Sequence, residues 1–267
     1  METNAANPAG ATPPVAGGVS ATAYNHPLLQ AQAAAKPGCK CGKLRPPRKL
    51  HTLVGLWLAL FVSVHFLICL TGLDARNYEG TVSLVRRSLA YLPGAVLLMV
   101  FIPMLVQAGS GLFLLAKEGV QYDVKRCDRG GKLRYFLQRW SGLAMLAFLL
   151  PHVGSMRDWG QSKVPAVPNG VAFAHTAAAF HPWASPAANS VTILLLLVGI
   201  LGTVYHIANG AWSGAILWKI VESERGKVRM GYVSVIVGLV LAVMGCVSWY
   251  AFSLSPGVHT ALALSIR

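Results

Sequence analysis

The chain has 267 residues, of which 54% are hydrophobic and only 12% are charged, and its mean hydropathy is +0.53. Soluble domains carry about 25% charged residues, so this composition excludes an ordinary soluble domain and indicates an integral membrane protein. The net charge of +14 is spread over short loops, which favours anionic lipid headgroups or a docking partner protein and predicts no nucleic-acid partner.

Residues 1–47 are rich in Ala, Pro and Gly and contain no apolar stretch behind a basic start. They predict a flexible cytoplasmic tail rather than a signal peptide. The tail includes Cys39 and Cys41 as a C-x-C pair. One such pair is too short a motif to predict a metal site, and we expect reduced thiols.

Five apolar segments are long enough to cross a hydrocarbon core about 30 Å thick as helices of about 20 residues. Transmembrane strands are only about 10 residues long, and unpaired backbone groups are not tolerated in lipid, so these segments predict helices. The segments are 50–73, 89–116, 135–154, 191–216 and 230–254. The sequence thus predicts an all-α, multi-pass bundle of five transmembrane helices over 48–256, followed by an outer tail at 257–267.

Basic residues predict the orientation of this bundle. Sixteen Lys and Arg side chains lie in the amino-terminal tail and in the loops after the second and fourth segments, whereas six lie on the opposite side. Loops with an excess of positive charge stay in the cytoplasm. We therefore expect a cytoplasmic amino terminus, an outer carboxy terminus and a location in the inner, cytoplasmic membrane.

Histidines within the predicted helices are candidate functional residues, because ionisable side chains are costly at membrane depth. At 1.5 Å rise per residue, His65 lies about 24 Å above Lys49 and His152 about 26 Å above Tyr135. These two histidines therefore share one level toward the outer surface.

A second level lies nearer the cytoplasm. His206 is about 20 Å above Lys219, and Gln107 is about 15 Å above Lys117. Gln107 interrupts an otherwise apolar run, "PMLVQAGSG" at 103–111. It is a polar side chain at the depth of a histidine.

Paired neutral imidazoles from different helices at one depth are what a six-coordinate b-type haem requires. Each would give one ring nitrogen to iron and its other N–H to a backbone carbonyl. The alternative is that each histidine only hydrogen-bonds a neighbouring helix. No predicted helix contains Asp or Glu, which disfavours metal transport and a proton relay.

Several motifs resemble the five-helix cytochrome b anchor of succinate dehydrogenases and fumarate reductases. The most specific are R-K-L-H-T from Arg48, L-Q-R-W-S-G from Leu137 and H-I-A-N-G-A-W from His206, and the resemblance covers about 48–254. It implies two b haems, one above the other. It also implies flavoprotein and iron–sulfur subunits, which carry FAD and the clusters, docked on the cytoplasmic face.

The resemblance also implies ligands. His65 and His152 match the ligands of the outer haem, and His206 matches one ligand of the inner haem, but Gln107 stands where the family has the partner histidine. An amide oxygen is a poor ligand for haem iron. A second haem would be five-coordinate or recruit another atom such as the Met104 thioether. The alternative, which we favour, is one haem, with His206 and Gln107 bonded to each other or to water.

The function implied is that of the membrane anchor and haem b subunit of a succinate:quinone oxidoreductase, complex II. This chain is the electron-transfer and quinone-binding part of that enzyme and contributes no catalytic head. The quinone is expected to be menaquinone and, with the outer haem alone, to react near the cytoplasmic side. Alternatives are the cytochrome b anchor of a hydrogenase or formate dehydrogenase, and a haem-free structural anchor.

Four further polar residues have weaker predicted roles. His51 is expected to face a haem propionate, a quinone headgroup or the partner subunit, or to be an ordinary interfacial histidine. Arg139 either snorkels to the interface or pairs with a propionate or quinone oxygen. His175 and His181 are expected to be solvated or packed residues of an outer loop, 155–190.

Overall fold

A computed structural model of the protein describes residues 46–92, 94–118, 131–157, 172–183 and 185–258. These residues all belong to one compact unit, Lys40–Arg267. The predicted amino-terminal tail, apart from its last two residues, lies outside the described residues, as does the outer tail beyond residue 258.

The described residues form helices and turns and contain no strand. The α-helices are α1 (Pro46–Leu70), α2 (Ala75–Ala90), α3 (Ile102–Glu118), α4 (Gly131–Arg157), α5 (Ala172–Phe180), α6 (Pro186–Leu217) and α7 (Glu224–Ser253). A 3-10 turn, Thr71–Leu73, follows α1, and a π-helical turn, Leu97–Phe101, leads into α3.

Four stretches of the described chain are long and apolar enough to cross a membrane. They are Pro47–Leu73, Leu97–Lys117, Pro186–Leu217 and Glu224–Val258. Large apolar side chains such as Leu60 and Leu105 are at least 60% exposed on them, as expected for surfaces that face lipid. The all-helical membrane fold is therefore confirmed, with four of the five predicted spans.

α4 corresponds to the remaining predicted span. It has 27 residues, enough to cross a hydrocarbon core at 1.5 Å per residue. Its first turns contain Lys132, Arg134, Gln138 and Arg139, which lowers its hydropathy below that of the other four helices. Its passage through the membrane stays a prediction.

α2 and α5 are helices that the sequence reading did not anticipate. α2 begins after Asp74, whose Oδ1 accepts a hydrogen bond from the Asn77 N–H at 2.9 Å, as an N-cap does. The second membrane helix consequently starts near 97 instead of 89. α5 occupies part of the loop predicted over 155–190, so the assignment of His175 to a loop was wrong. An alanine-rich run favours a helix.

α2 and α5 pack on the end of α7 and form a cluster that we call the aromatic cap: Tyr78, Phe173, Phe180 and Phe252. A Cβ at Gly72 would lie 2.3 Å from Phe252 Cζ, so only glycine fits there. Within the cap, the Tyr78 hydroxyl is 3.1 Å from Thr176 Oγ1. Burial raises the pKa of Tyr78 to about 12.

The long helices are arranged so that α1 contacts α3, α6 and α7, while α4 packs along α6. Trp57 on α1 donates its indole N–H to the Met99 carbonyl at 2.7 Å. Met99 lies in the π-helical turn, where widened helix geometry frees carbonyls from their usual partners. α1 therefore packs along both α3 and α6. It reaches α4, the remaining helix with a candidate ligand, through side chains.

Candidate functional site: two pairs of histidines

The structure brings together the two histidines predicted at the outer level. The ring centroids of His65 on α1 and His152 on α4 are 6.1 Å apart, and their planes make an angle of 76°. Metal–imidazole nitrogen bonds are about 2 Å long, so two rings on opposite sides of one metal have centroids roughly 6 Å apart. The outer pair therefore fits two axial ligands of a single iron.

Aromatic side chains hold both outer imidazoles from their own helices. Phe61 stacks on His65 with a centroid distance of 5.9 Å, and Phe148 stacks on His152 at 5.1 Å. Both pairs are four residues apart, the spacing at which helical side chains meet. The His65 Nε2 atom lies 3.7 Å from the Cys69 Sγ, one helical turn further along α1. The outer pair is thus enclosed mainly by apolar groups.

His206 on α6 is held by the start of α4. Its Nδ1 is 3.1 Å from the Gln138 carbonyl oxygen and 3.2 Å from Ser141 Oγ. Donation to the carbonyl requires the proton on Nδ1 and leaves a lone pair on Nε2. A Cβ at Gly142 would lie 3.0 Å from His206 Cε1, so glycine is what lets α4 approach the ring this closely.

The two motifs L-Q-R-W-S-G and H-I-A-N-G-A-W contact each other directly. Gln138 places Nε2 at 3.3 Å from both ring nitrogens of His206, and its Oε1 accepts a hydrogen bond from Asn209 Nδ2 at 2.7 Å. Sequence reasoning identified the motifs but gave no role to Gln138, Ser141 or Asn209. All three residues belong to polar motifs within predicted membrane helices, and this feature of the sequence could have identified them.

The described partner of Gln107 is His51, whereas a bond to His206 had been considered from the sequence. Gln107 Nε2 is 3.2 Å from His51 Nε2, and His51 Nδ1 is 2.9 Å from Ser110 Oγ. Ser110 in turn donates to the Gln107 carbonyl at 3.2 Å. Gln107 is 8% exposed, and its Oε1 has no hydrogen-bond partner among the described residues. Among the described residues, Met104 forms no hydrogen bond to His206.

His51 faces His206 across the bundle. The ring centroids are 6.4 Å apart and the planes make an angle of 88°. Sequence reasoning left His51 among the interfacial residues and missed this pairing. The spacing between His51 and His65 could have revealed it. These residues are 14 positions, or two heptads, apart, and over that distance the direction of the side chains around a helix changes by only about 40°. One face of α1 therefore presents a histidine at each level.

Cationic side chains pack on aromatic rings near the inner pair. Arg134 lies over Trp212 at 4.3 Å from the ring centroid, and Lys49 lies over Trp218 at 5.4 Å. Arg139 lies over Tyr135 at 5.0 Å and is near enough to His51 and His206 for its charge to act on both. Such contacts hold positive charge at one end of the bundle.

An apolar cavity of about 740 Å³ opens beside α1. Leu53, Trp57 and Leu60 line it from α1, Met99 from the π-helical turn, and Ala211 from α6. Leu53 lies about half a helical turn from His51 along α1, so the cavity begins at the height of the inner pair but on another face of the helix. Its size and apolar walls suit a flexible hydrocarbon chain.

The chain resembles one characterised protein over most of its length. It is 26% identical over 211 residues to the succinate dehydrogenase cytochrome b558 subunit of Bacillus subtilis (strain 168), an alignment that covers 77% of this chain and 95% of that protein. Neither a family model nor a solved structure matches the chain. The resemblance seen in the motifs is confirmed to this extent: the chain is similar over most of its length to a succinate dehydrogenase cytochrome b subunit.

Proposed function

We propose that this chain is the membrane anchor and haem b subunit of a succinate:quinone oxidoreductase, and that His65 and His152 are the axial ligands of its outer haem. The observation that carries the proposal is the 6.1 Å separation of these two rings, which lie on different helices. The relative, a succinate dehydrogenase cytochrome b558 subunit, supports the same assignment.

The residues of the outer site fit a b-type haem. Two neutral imidazoles from α1 and α4 supply the axial positions, and Phe61 and Phe148 fix the planes of the rings and keep water away. A haem bound here would supply one-electron transfer between the partner subunits and the quinone pool. The protein itself contributes ligand geometry and an apolar enclosure, which together set the reduction potential.

The basic end of the bundle is the proposed docking face for a flavoprotein subunit and an iron–sulfur subunit. Arg134 and Lys49 are held there on tryptophan rings, which preserves their charge while limiting side-chain freedom. With this end in the cytoplasm, as the positive charge of the loops predicts, the amino terminus is cytoplasmic and the complex lies in the inner membrane.

We place the quinone, expected to be menaquinone, at the inner level. The apolar cavity beside α1 would take its isoprenoid tail, because that cavity begins at the height of His51 and is lined by Leu53, Trp57 and Leu60. Quinone at this level is close to the docking face, which shortens electron transfer from the partner subunits.

The test is the haem content of the purified complex, measured by pyridine haemochrome assay and expressed per flavin. His65→Ala and His152→Ala should each remove one low-spin haem. His181→Ala is the matched control, because the His181 ring contacts the Ala177 carbonyl of α5 and belongs to neither histidine pair. It should leave the haem content unchanged.

Unchanged haem in both His65→Ala and His152→Ala would disprove the ligand assignment. A wild-type complex that oxidises succinate but lacks any reduced alpha band would show a haem-free anchor instead. Co-purification with a hydrogenase or formate dehydrogenase, in place of a flavoprotein, would move the chain to another oxidoreductase.

A further inference from the structure

We propose that His51, rather than Gln107, is the axial partner of His206, and that these two imidazoles hold a second b haem at the inner level. The inference rests on the proposed role of the chain as a haem b subunit. It goes beyond that role by naming a ligand in the helix-one motif and by assigning the inner site a haem that the Gln107 substitution had argued against.

The two histidine pairs have nearly the same geometry. The His51–His206 centroids are 6.4 Å apart with planes at 88°, and the His65–His152 centroids are 6.1 Å apart with planes at 76°. Both separations match rings on opposite sides of one metal, roughly 6 Å. Along α1, His51 and His65 are about 21 Å apart at 1.5 Å per residue, which leaves room for two haems one above the other.

Hydrogen bonds give both inner imidazoles the tautomer that a haem ligand needs. His206 donates Nδ1–H to the Gln138 carbonyl, 3.1 Å away. His51 donates Nδ1–H to Ser110 Oγ at 2.9 Å, because the Ser110 hydroxyl proton is itself directed at the Gln107 carbonyl. Each ring therefore presents the lone pair of Nε2. Second partners of this kind orient metal-bound histidines in proteins generally.

Two glycines fix how closely the neighbouring helices approach these rings. A Cβ at Gly111 on α3 would lie 3.2 Å from His51 Cε1, and one at Gly142 on α4 would lie 3.0 Å from His206 Cε1. A Cβ at Gly109, two residues earlier on α3, would meet nothing within 4 Å. A larger residue would therefore crowd the imidazole at Gly111 and Gly142, and not at Gly109.

Gln107 lies beside His51 in this site and is not one of the two proposed ligands. Its amide N–H contacts His51 Nε2 at a long 3.2 Å, and iron bound at that nitrogen would replace only this one long hydrogen bond. Two buried acceptors beside the pair, Gln107 Oε1 and Asn209 Oδ1, have no partner among the described residues. Unsatisfied buried atoms are rare in native structures and mark places where a ligand or water completes the site.

Arg139 supplies the charge that a haem at this level requires. It lies near enough to act on both His51 and His206, and an arginine is suited to a propionate carboxylate because its guanidinium binds two oxygens in parallel. The inner site thus contains two imidazoles, their orienting partners and a cation for the propionates.

The experiment compares variants of the complete complex, purified with its partner subunits. Haem per flavin is measured by pyridine haemochrome assay, and the ligands are identified by low-temperature electron paramagnetic resonance of the oxidised complex. We expect two low-spin haems per flavin in the wild type. His51→Ala should abolish the low-spin signal of one haem and retain the other, and His65→Ala should do the converse. His51→Gly with imidazole in the buffer should recover the lost signal.

The outcomes separate this inference from the proposed function. One haem per flavin in the wild type, lost in His65→Ala, would overturn the inference and leave the proposed function supported. Two low-spin signals in His51→Ala would likewise overturn it. A wild-type complex without haem would overturn both. If His51→Ala does not assemble with flavin, His51→Met decides the question: a thioether ligand at one haem supports the inference, and two unchanged bis-imidazole signals refute it.

Discussion

The outer and inner histidine pairs have the same separation but are held by different kinds of neighbours. The outer rings lie against Phe61 and Phe148, whereas the inner rings are held by amides and hydroxyls, among them Gln138 and Ser110. An apolar enclosure tolerates small shifts. A buried polar network does not, because each unsatisfied atom costs about 1–3 kcal/mol. The inner site should therefore be the more sensitive of the two to substitution.

α1 supplies one histidine to each pair, and at the inner level this histidine lies beside the position where the family has a ligand on another helix. His51 and His65 share one face of α1, and their partners lie on α6 and α4. The family pattern expects the inner partner of His206 on α3, where Gln107 stands. Both α1 and α3 border the same space, since Gln107 and His51 are in hydrogen-bond contact. A ligand at position 51 or at position 107 would therefore approach the inner site from the same side.

The largest effect expected is the rescue of one lost ligand by another. His51→Ala should remove the inner haem, and adding Gln107→His to that variant should restore it, because residue 107 is adjacent to the position of the His51 ring. The measurement is haem per flavin. The single Gln107→His variant, with His51 intact, is the control and should keep the haem count of the wild type. A double variant that stays at one haem would show that position 107 cannot reach the iron.

The next effect is on the affinity for the inner haem. Gln138→Leu removes the amide that contacts His206 and the acceptor of the Asn209 hydrogen bond. Loss of such orienting partners lowers metal affinity about 10- to 100-fold. The inner haem should therefore dissociate first during dilution or mild detergent treatment, monitored by its optical band. Equal loss of both haems would mean that Gln138 supports the bundle as a whole.

A smaller effect distinguishes two glycines on α3. Gly111→Ala should crowd His51, whose Cε1 would be 3.2 Å from the new Cβ, and lower inner haem occupancy a few-fold. Gly109→Ala is the matched control, because its Cβ would meet nothing within 4 Å. A central Gly to Ala change otherwise favours the helix by up to about 1 kcal/mol. Equal occupancy in the two variants would contradict the close packing of Gly111 on His51.

The smallest effect concerns the aromatic cap at the outer end. Burial in the folded state raises the pKa of Tyr78 to about 12 from its usual 10. Between these two pH values the folded chain keeps the phenol proton, whereas the unfolded chain loses it. The contribution of Tyr78 to the free energy of unfolding is fully present below pH 10 and falls as the pH rises toward 12. At pH 11 it has fallen by about 1.4 kcal/mol. Thermal unfolding measured against pH should show this decline in the wild type. Tyr78→Phe should lack it, and an identical slope in both would contradict the assignment.

The sequence predicted a large part of the outer site. Two histidines at one height on separate helices needed only the rise per residue, and the structure places their rings 6.1 Å apart. It predicted less about the ends of the helices. α2 and α5 combine polar and alanine-rich stretches without a membrane-length apolar run, so hydropathy did not reveal them. Both pack on Phe252 and its neighbours.

By itself the sequence determined the class of protein, the heights of the polar residues and the motifs shared with succinate dehydrogenase anchors. Only the tertiary structure decided which side chains at the inner level face each other. Height along a helix follows from counting residues, but rotation about the helix axis and the distance between helices follow from packing. Gly111 and Gly142 leave room for the two rings, and in the packed bundle His206 faces His51 while Gln107 contacts His51 as a hydrogen-bond donor.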